Sequence, residues 1–412
     1  MPRLLSRPWP TPLALGILAQ ALFCWRLTTP HKLVFDEVHY VPAARMLGGL
    51  GGPVNIEHPL LGKAIIATGI MLFGDTPLGW RAFSTLAGTA VVVGVYAILQ
   101  LTFQSTRTAL FGALLVLTNF TVFIQARIAM LDGFIAAFVV LAIAAILWAA
   151  RSSGRAVARR WLLGGVLLGL ACATKWTAVP YVGYAALALV IVRRRWPEAW
   201  AGLGWFRGWA ILGASVAATY LVSFAPAFFY ARDALTLTAL LPFQARMYAQ
   251  QTQVLPPHPY QSSWWTWALD LRPIWYLYEP VDGAQRGVLM LGNPVVLWGG
   301  LVAVAACLWG WVLRRDAKLG AVAALWIGSY VVWAIIPKSL GFFYYYYLPS
   351  IWLPIVIAAA FHRFGRGRWR GWDELMLLFS AGIFAWFYPI LSSAALSGPQ
   401  AFHRWMWFDS WM

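Results

Sequence analysis

The chain has 412 residues, of which 61% are hydrophobic and 11% charged, with a mean hydropathy of +0.67 and a formal net charge of +17. A soluble globular domain is about a quarter charged, so this balance excludes a water-soluble enzyme and marks a polytopic membrane protein. The basic excess is spread over many short turns instead of one aromatic-rich face, which argues against a nucleic-acid partner.

In chain order, apolar runs of the length a bilayer requires predict about eleven helical spans. They fall at 11–29, 79–103, 107–126, 128–150, 160–175, 177–193, 207–230, 288–313, 319–337, 342–361 and 373–395. The alternating segments of about ten residues expected of a β-barrel are missing. The first run has no small-residue cleavage pattern and ends near Arg26, so it reads as a retained anchor and not a signal peptide. Cys24, Cys172 and Cys307 are scattered through apolar spans without CxxC spacing and read as small core residues.

Orientation follows from the basic turns, which collect on the cytoplasmic side. With the N-terminus inside, that set comprises Arg3, Arg7, Arg107, the turns at 151–160, 193–207 and 314–318, and Arg363, Arg366, Arg368 and Arg370. Most of the 14 acidic residues then lie outside, with the C-terminus and two long loops, 28–78 and 231–287. The expected location is the cell inner or plasma membrane, with any active site extracytoplasmic. In the first loop, 36–47 has a helical pattern, and Pro59 suits the first turn of a second short surface helix. The second loop is rich in Pro, Trp and Tyr, with room for a helix or two and none for a separate module. Residues 1–412 are read as one transmembrane domain.

Acidic residues are scarce, so VFDEVHY at 34–40 stands out. Neighbours on a helix point about 100° apart, so only one of Asp36 and Glu37 can aim at a given reacting atom. A solvated pair, or a helix N-terminal charge, is the plain alternative. The apolar flanks Val34, Phe35, Val38 and Tyr40 favour a half-buried niche, where desolvation lifts a carboxyl toward the range of a general base. Arg81 opens the second span as either a snorkelling anchor or a ligand for a lipid phosphate, with Lys63 at the same surface. Arg127 and Asp132 either pair with one another, fixing two helices, or serve a site. Lys175 and Lys338 are single cations at outer helix ends. Trp264, in WWTW, fits an interfacial belt or a sugar-stacking face. His31, His39, His58, His258 and His403 lie outside without HxxxH or HExxH spacing, so neither a metal nor another cofactor is expected.

FDEVHY, EHPLLGK, WRAFSTLAGT, ARIAMLD, HPYQSSWWTW with RPIWY, KSLGFFYYYYLP and HRWMWFDSWM, in this order, resemble the motifs of protein O-mannosyltransferases. That resemblance implies an all-α GT-C bundle. It also implies a polyprenyl-phosphate-mannose donor, a catalytic base at Asp36 with Glu37 supporting it, and donor-phosphate contacts at Arg81 and Lys63. Supporting or substrate-binding roles extend to Glu57, His58, Arg127, Asp132, His258, Trp264, Arg272 and Lys338. Leu60 replaces a second proline of the family's HPPLGK motif, and the second loop has no room for the MIR domain of eukaryotic members, so the resemblance is to compact bacterial ones. The implied reaction is an inverting single displacement that moves mannose to Ser/Thr hydroxyls of exported proteins. Membrane lipids are implied partners, and the secretion translocon is a candidate one. Transfer of another sugar, or transfer to a glycolipid or lipid A-type acceptor, is the alternative. A transporter or flippase ranks third, for which broken helices in paired halves would be the sign.

Overall fold

The computed structural model describes residues 10–365 and 367–412. Arg3, Arg7 and Arg366 of the basic set lie outside the described residues. The first half runs through α1 (Pro10–Cys24), the loop helices α2 (Glu37–Gly48) and α3 (Leu61–Phe73), and α4 (Pro77–Phe103). It continues through α5 (Thr106–Leu117), α6 (Phe120–Gln125), α7 (Leu131–Ala150), α8 (Arg155–Thr174), α9 (Val179–Arg195) and α10 (Trp205–Val222). The second loop holds α11 (Leu240–Gln251), a single turn α12 (Trp264–Trp267) and the strands β1 (Ile274–Val281) and β2 (Ala284–Met290). The last four helices are α13 (Pro294–Arg314), α14 (Ala317–Val331), α15 (Tyr347–Phe364) and α16 (Trp372–Leu391).

Lipid offers no hydrogen bonds, so a chain crossing it must pair its backbone internally, and helices do so within one segment. Among the described residues, nine helical segments are long and apolar enough to cross a membrane. This is a multi-pass membrane protein. The other two predicted spans take different forms. The first is the 15-residue α1, and the run 107–126 is divided into α5 and α6 at Thr118 and Asn119. That break is paired from within. The Asn119 side chain caps α6 by accepting from Thr121 N, and Asn293 Nδ2 donates to the freed Thr118 carbonyl at 2.8 Å.

The second loop departs from its expected irregularity. β1 and β2 form an antiparallel hairpin closed by Asp282 and Gly283, both with positive φ (50° and 71°), as a two-residue type I′ turn demands. A span beginning at 288 is therefore corrected: residues 284–290 are strand, and the helix starts at Pro294.

α15 is the axis of the bundle, with Ile351, Trp352, Leu353 and Val356 each at most 1% exposed, and it packs against α5, α13 and α14. α9, α10 and α16 are peripheral; 22% of each apolar window is buried. On the loop side, α3 crosses the start of α4 where a Cβ on Gly69 would run into the Gly79 carbonyl. That close approach sets the position of Arg81, two residues further along.

Candidate active site

Glu37 is fully buried and all its acceptor positions are engaged. Oε1 accepts from Arg81 Nε and Ala129 N, and Oε2 from Arg81 Nη2 and Val34 N, each at 2.8 Å. Arg81 is 1% exposed, and its remaining N–H groups donate to the carbonyls of Leu27, Pro30 and Lys32. Five hydrogen bonds use all five donors of a guanidinium, so none faces a phosphate. The expected phosphate contact at Arg81 is therefore corrected: the pair ties the first loop to α4 and to the turn before α7. Lys63 is similarly committed. It is 1% exposed, and its Nζ donates to the carbonyls of Val54, Asn55 and His58. Burial, opposed by Glu57, brings its pKa down to about 7.

Asp36 is in a different situation. It stands at the N-cap of α2, yet its side chain caps nothing. Among the described residues its carboxylate accepts one hydrogen bond, from Tyr40 Oη at 3.3 Å, one turn along the same helix face. The residue is half-buried. Desolvation raises its pKa to about 6, an effect moderated by Lys175 and reinforced by Asp132. Phe35, just before it, has φ 52°, a left-handed conformation rare for a bulky residue, and its ring stacks on Tyr276 at 4.1 Å. The stack holds the strained residue and with it the direction of Asp36.

Around Asp36 the fold gathers further charge. Asp132 pairs with Lys175 at 2.9 Å, whereas Arg127 donates to the carbonyls of Phe23, Trp25 and Arg26. A mutual Arg127–Asp132 pair is thus corrected, because Arg127 clamps the end of α1 while Asp132 belongs to the cleft. Lys175 Nζ also lies 5.5 Å from the ring of Tyr344 and 5.7 Å from that of Tyr345. Lys338 donates to the carbonyl and side-chain oxygens of Gln251, and its pKa falls to about 8 through burial and the nearby Lys175. His58 Nδ1 meets Gln251 Nε2 at 2.8 Å; burial and the charges of Lys175, Lys63 and Lys338 hold it neutral.

A cavity of about 330 Å³ opens beside this cluster, with Trp264, Trp267, Trp333, Lys338 and Tyr345 in its walls. Trp333, Ile336 and Tyr345 also line a small void that reaches Asp132. A second, apolar groove of about 590 Å³ lies between α8, α9 and α10, with Trp176 beside Lys175 at its head. The other expected residues are further from Asp36 in role. Glu57 accepts from Asn55, exposed His258 orders its own turn through Tyr260 N, and Arg272 donates to the carbonyls of Ser410 and Met412. Lys175, Tyr276, Tyr344, Tyr345 and Gln251 complete the cleft without having been singled out as site residues. The aromatic run beside Lys338 was the signal for two of them, Tyr344 and Tyr345.

The acidic cleft of the first long loop thus lies at one end of a multi-span helical bundle, beside an apolar groove. A family model described as dolichyl-phosphate-mannose-protein mannosyltransferase matches residues 57–216. One described as the C-terminal four TMM region of protein-O-mannosyltransferase matches 236–411. The polyprenol-phosphate-mannose–protein mannosyltransferase of Mycobacterium tuberculosis (strain CDC 1551 / Oshkosh) is 30% identical over 93% of this chain and 88% of the relative. The chain belongs to the protein O-mannosyltransferase family. Its fold matches the S. cerevisiae Pmt1-Pmt2 complex bound to the sugar donor, with a TM-score of 0.82 at 14% identity, covering 98% of this chain and 92% of that one. ArnT from Cupriavidus metallidurans matches with a TM-score of 0.60 at 15% identity, covering 88% and 61%.

Proposed function

We propose that the protein transfers mannose from polyprenyl-phosphate-mannose to Ser/Thr hydroxyls of exported proteins, at the extracytoplasmic end of the bundle. Asp36 takes the proton of the acceptor hydroxyl, and the resulting oxygen attacks the anomeric carbon from the face opposite the phosphate. The polyprenyl phosphate then leaves and the anomeric configuration inverts. Lys175 and Lys338 offset the charge that develops on the leaving phosphate, since Arg81 and Lys63 have no donors left for it. The apolar groove headed by Trp176 takes the polyprenyl chain, and the aromatic cavity at Trp264 and Trp267 admits the acceptor from outside. The basic turns face the cytoplasm, and the translocon is the partner that would present unfolded acceptors.

The observation that carries this reading is the Asp36 carboxylate: half-buried, raised to about 6, and accepting one long hydrogen bond from Tyr40. A group held this way can take a proton near neutral pH. Glu37, one residue along, has its carboxylate oxygens engaged by Arg81, Val34 N and Ala129 N. The test supplies radiolabelled polyprenyl-phosphate-mannose and a Ser/Thr-rich exported peptide to the purified protein in lipid. Label should appear in the peptide with inverted anomeric configuration. Intact donor with no labelled peptide, but label in a co-supplied glycolipid, would assign the chain to the lipid-acceptor reading.

A further inference from the structure

At the end of the bundle opposite Asp36, a groove of about 850 Å³ opens between the termini of α4, α7, α9, α14 and α15. Its rim carries five cations, Arg151, Arg195, Arg315, Lys318 and Arg363, against two acids, Glu198 and Asp316. Asp316 is already engaged: it caps α14 through Lys318 N and Leu319 N, and it lies 3.7 Å from Arg363. Among the described residues, Arg151, Arg195, Arg315 and Lys318 have no ion-pair partner. The walls below the rim are apolar, from Leu101, Phe103, Leu147, Val192 and Leu319. Neither the site nor the mechanism above uses any of these residues.

We propose that this groove binds an anionic phospholipid, with its phosphate on the arginine rim and the start of an acyl chain against the apolar wall. Arginine matches phosphate in paired hydrogen bonds, and unpaired cations at the headgroup level of a helical bundle recognise negative lipid. A soluble anion would use the rim and leave the apolar wall in water. α9 and α14, which flank the opening, are among the less buried helices, with 22% and 39% of their apolar windows covered, so lipid can enter sideways. A bound lipid would bridge the α4–α7 half of the molecule to α14 and α15.

The full chain in neutral detergent is titrated with dioleoyl-phosphatidylglycerol, dioleoyl-phosphatidylcholine and inorganic phosphate while the melting temperature is followed. Phosphatidylglycerol should stabilise saturably, with at least about tenfold higher apparent affinity than phosphatidylcholine, and phosphate alone should do nothing. Arg195→Gln with Arg315→Gln, both exposed and away from the Asp36 cleft, should weaken the phosphatidylglycerol effect about tenfold or more, without moving the lipid-free melting temperature. Arg155→Gln with Arg159→Gln, outside the groove, should leave the effect intact. Should the double variant fail to fold, Lys318→Gln alone is read in the same way and should also weaken the effect. Equal stabilisation by phosphatidylcholine, stabilisation by phosphate alone, or equal loss in the Arg155/Arg159 control would each overturn the proposal.

Discussion

Two charged clusters lie one residue apart in the first loop, and they use the same chemistry to opposite ends. Around Glu37 and Arg81 every donor and acceptor is engaged, in a setting closed to water. Around Asp36 the carboxylate accepts from Tyr40, and the nearby Lys175 and Lys338 are held in place by Asp132 and Gln251. A saturated pair holds geometry and has no bonding capacity left for a substrate. The unsaturated acid has that capacity, and holding it costs stability. The lesson is that adjacency in sequence says little about role; hydrogen-bond saturation separates an anchored carboxylate from one with bonding capacity to spare.

The comparison breaks most readily at the reactive member. Asp36→Asn should lower turnover by about 10²–10⁴-fold, the scale of a lost general base, and near-normal turnover in the label-transfer assay would remove the assignment. Ionising Asp36 in the folded protein is disfavoured, since its pKa rises from 3.8 to about 6, so its contribution to stability is lost as pH climbs through that window. At pH 7.5 the same variant should therefore melt higher than wild type, by up to roughly 3 kcal/mol of stability.

Glu37→Ala should do the reverse. It leaves Arg81 buried without its carboxylate, which costs about 3–5 kcal/mol and shows as a lower melting temperature and poor recovery from membranes. Lys63→Met should cost less, about 1–3 kcal/mol, by leaving the carbonyls of Val54, Asn55 and His58 short of a donor. A shift of the pH profile, read separately from any loss of turnover or stability, sharpens the contrast. Lys175→Met removes a charge that lowers the pKa of Asp36, so the acidic limb of the pH–rate profile should move to higher pH.

The helices were readable because the bilayer demands long apolar runs, and the half-buried setting of Asp36 was readable because Val34 and Phe35 deny an acid at that place free solvation. The role of Arg81 was not. A guanidinium saturated by carbonyls and one aimed at a phosphate occupy the same sequence position, and the difference lies in Leu27, Pro30 and Lys32, about fifty residues away in the chain. Arg127 and Asp132 are close in sequence, yet each found a partner on another helix or loop. The hairpin, by contrast, carried its signal in plain view: Asp282-Gly283 between β-rich flanks specifies a type I′ turn, but the surrounding Pro, Trp and Tyr disguised it as irregular loop.

The most direct measurement is kcat/KM against pH from 5 to 8, for wild type and Asp36→Asn, using polyprenyl-phosphate-mannose and the exported peptide. If Asp36 is the base, the wild-type rate falls about tenfold per pH unit below about 6, and the residual rate of Asp36→Asn shows no such limb. A wild-type rate that stays level down to pH 5, or a limb that persists in Asp36→Asn, would contradict the account.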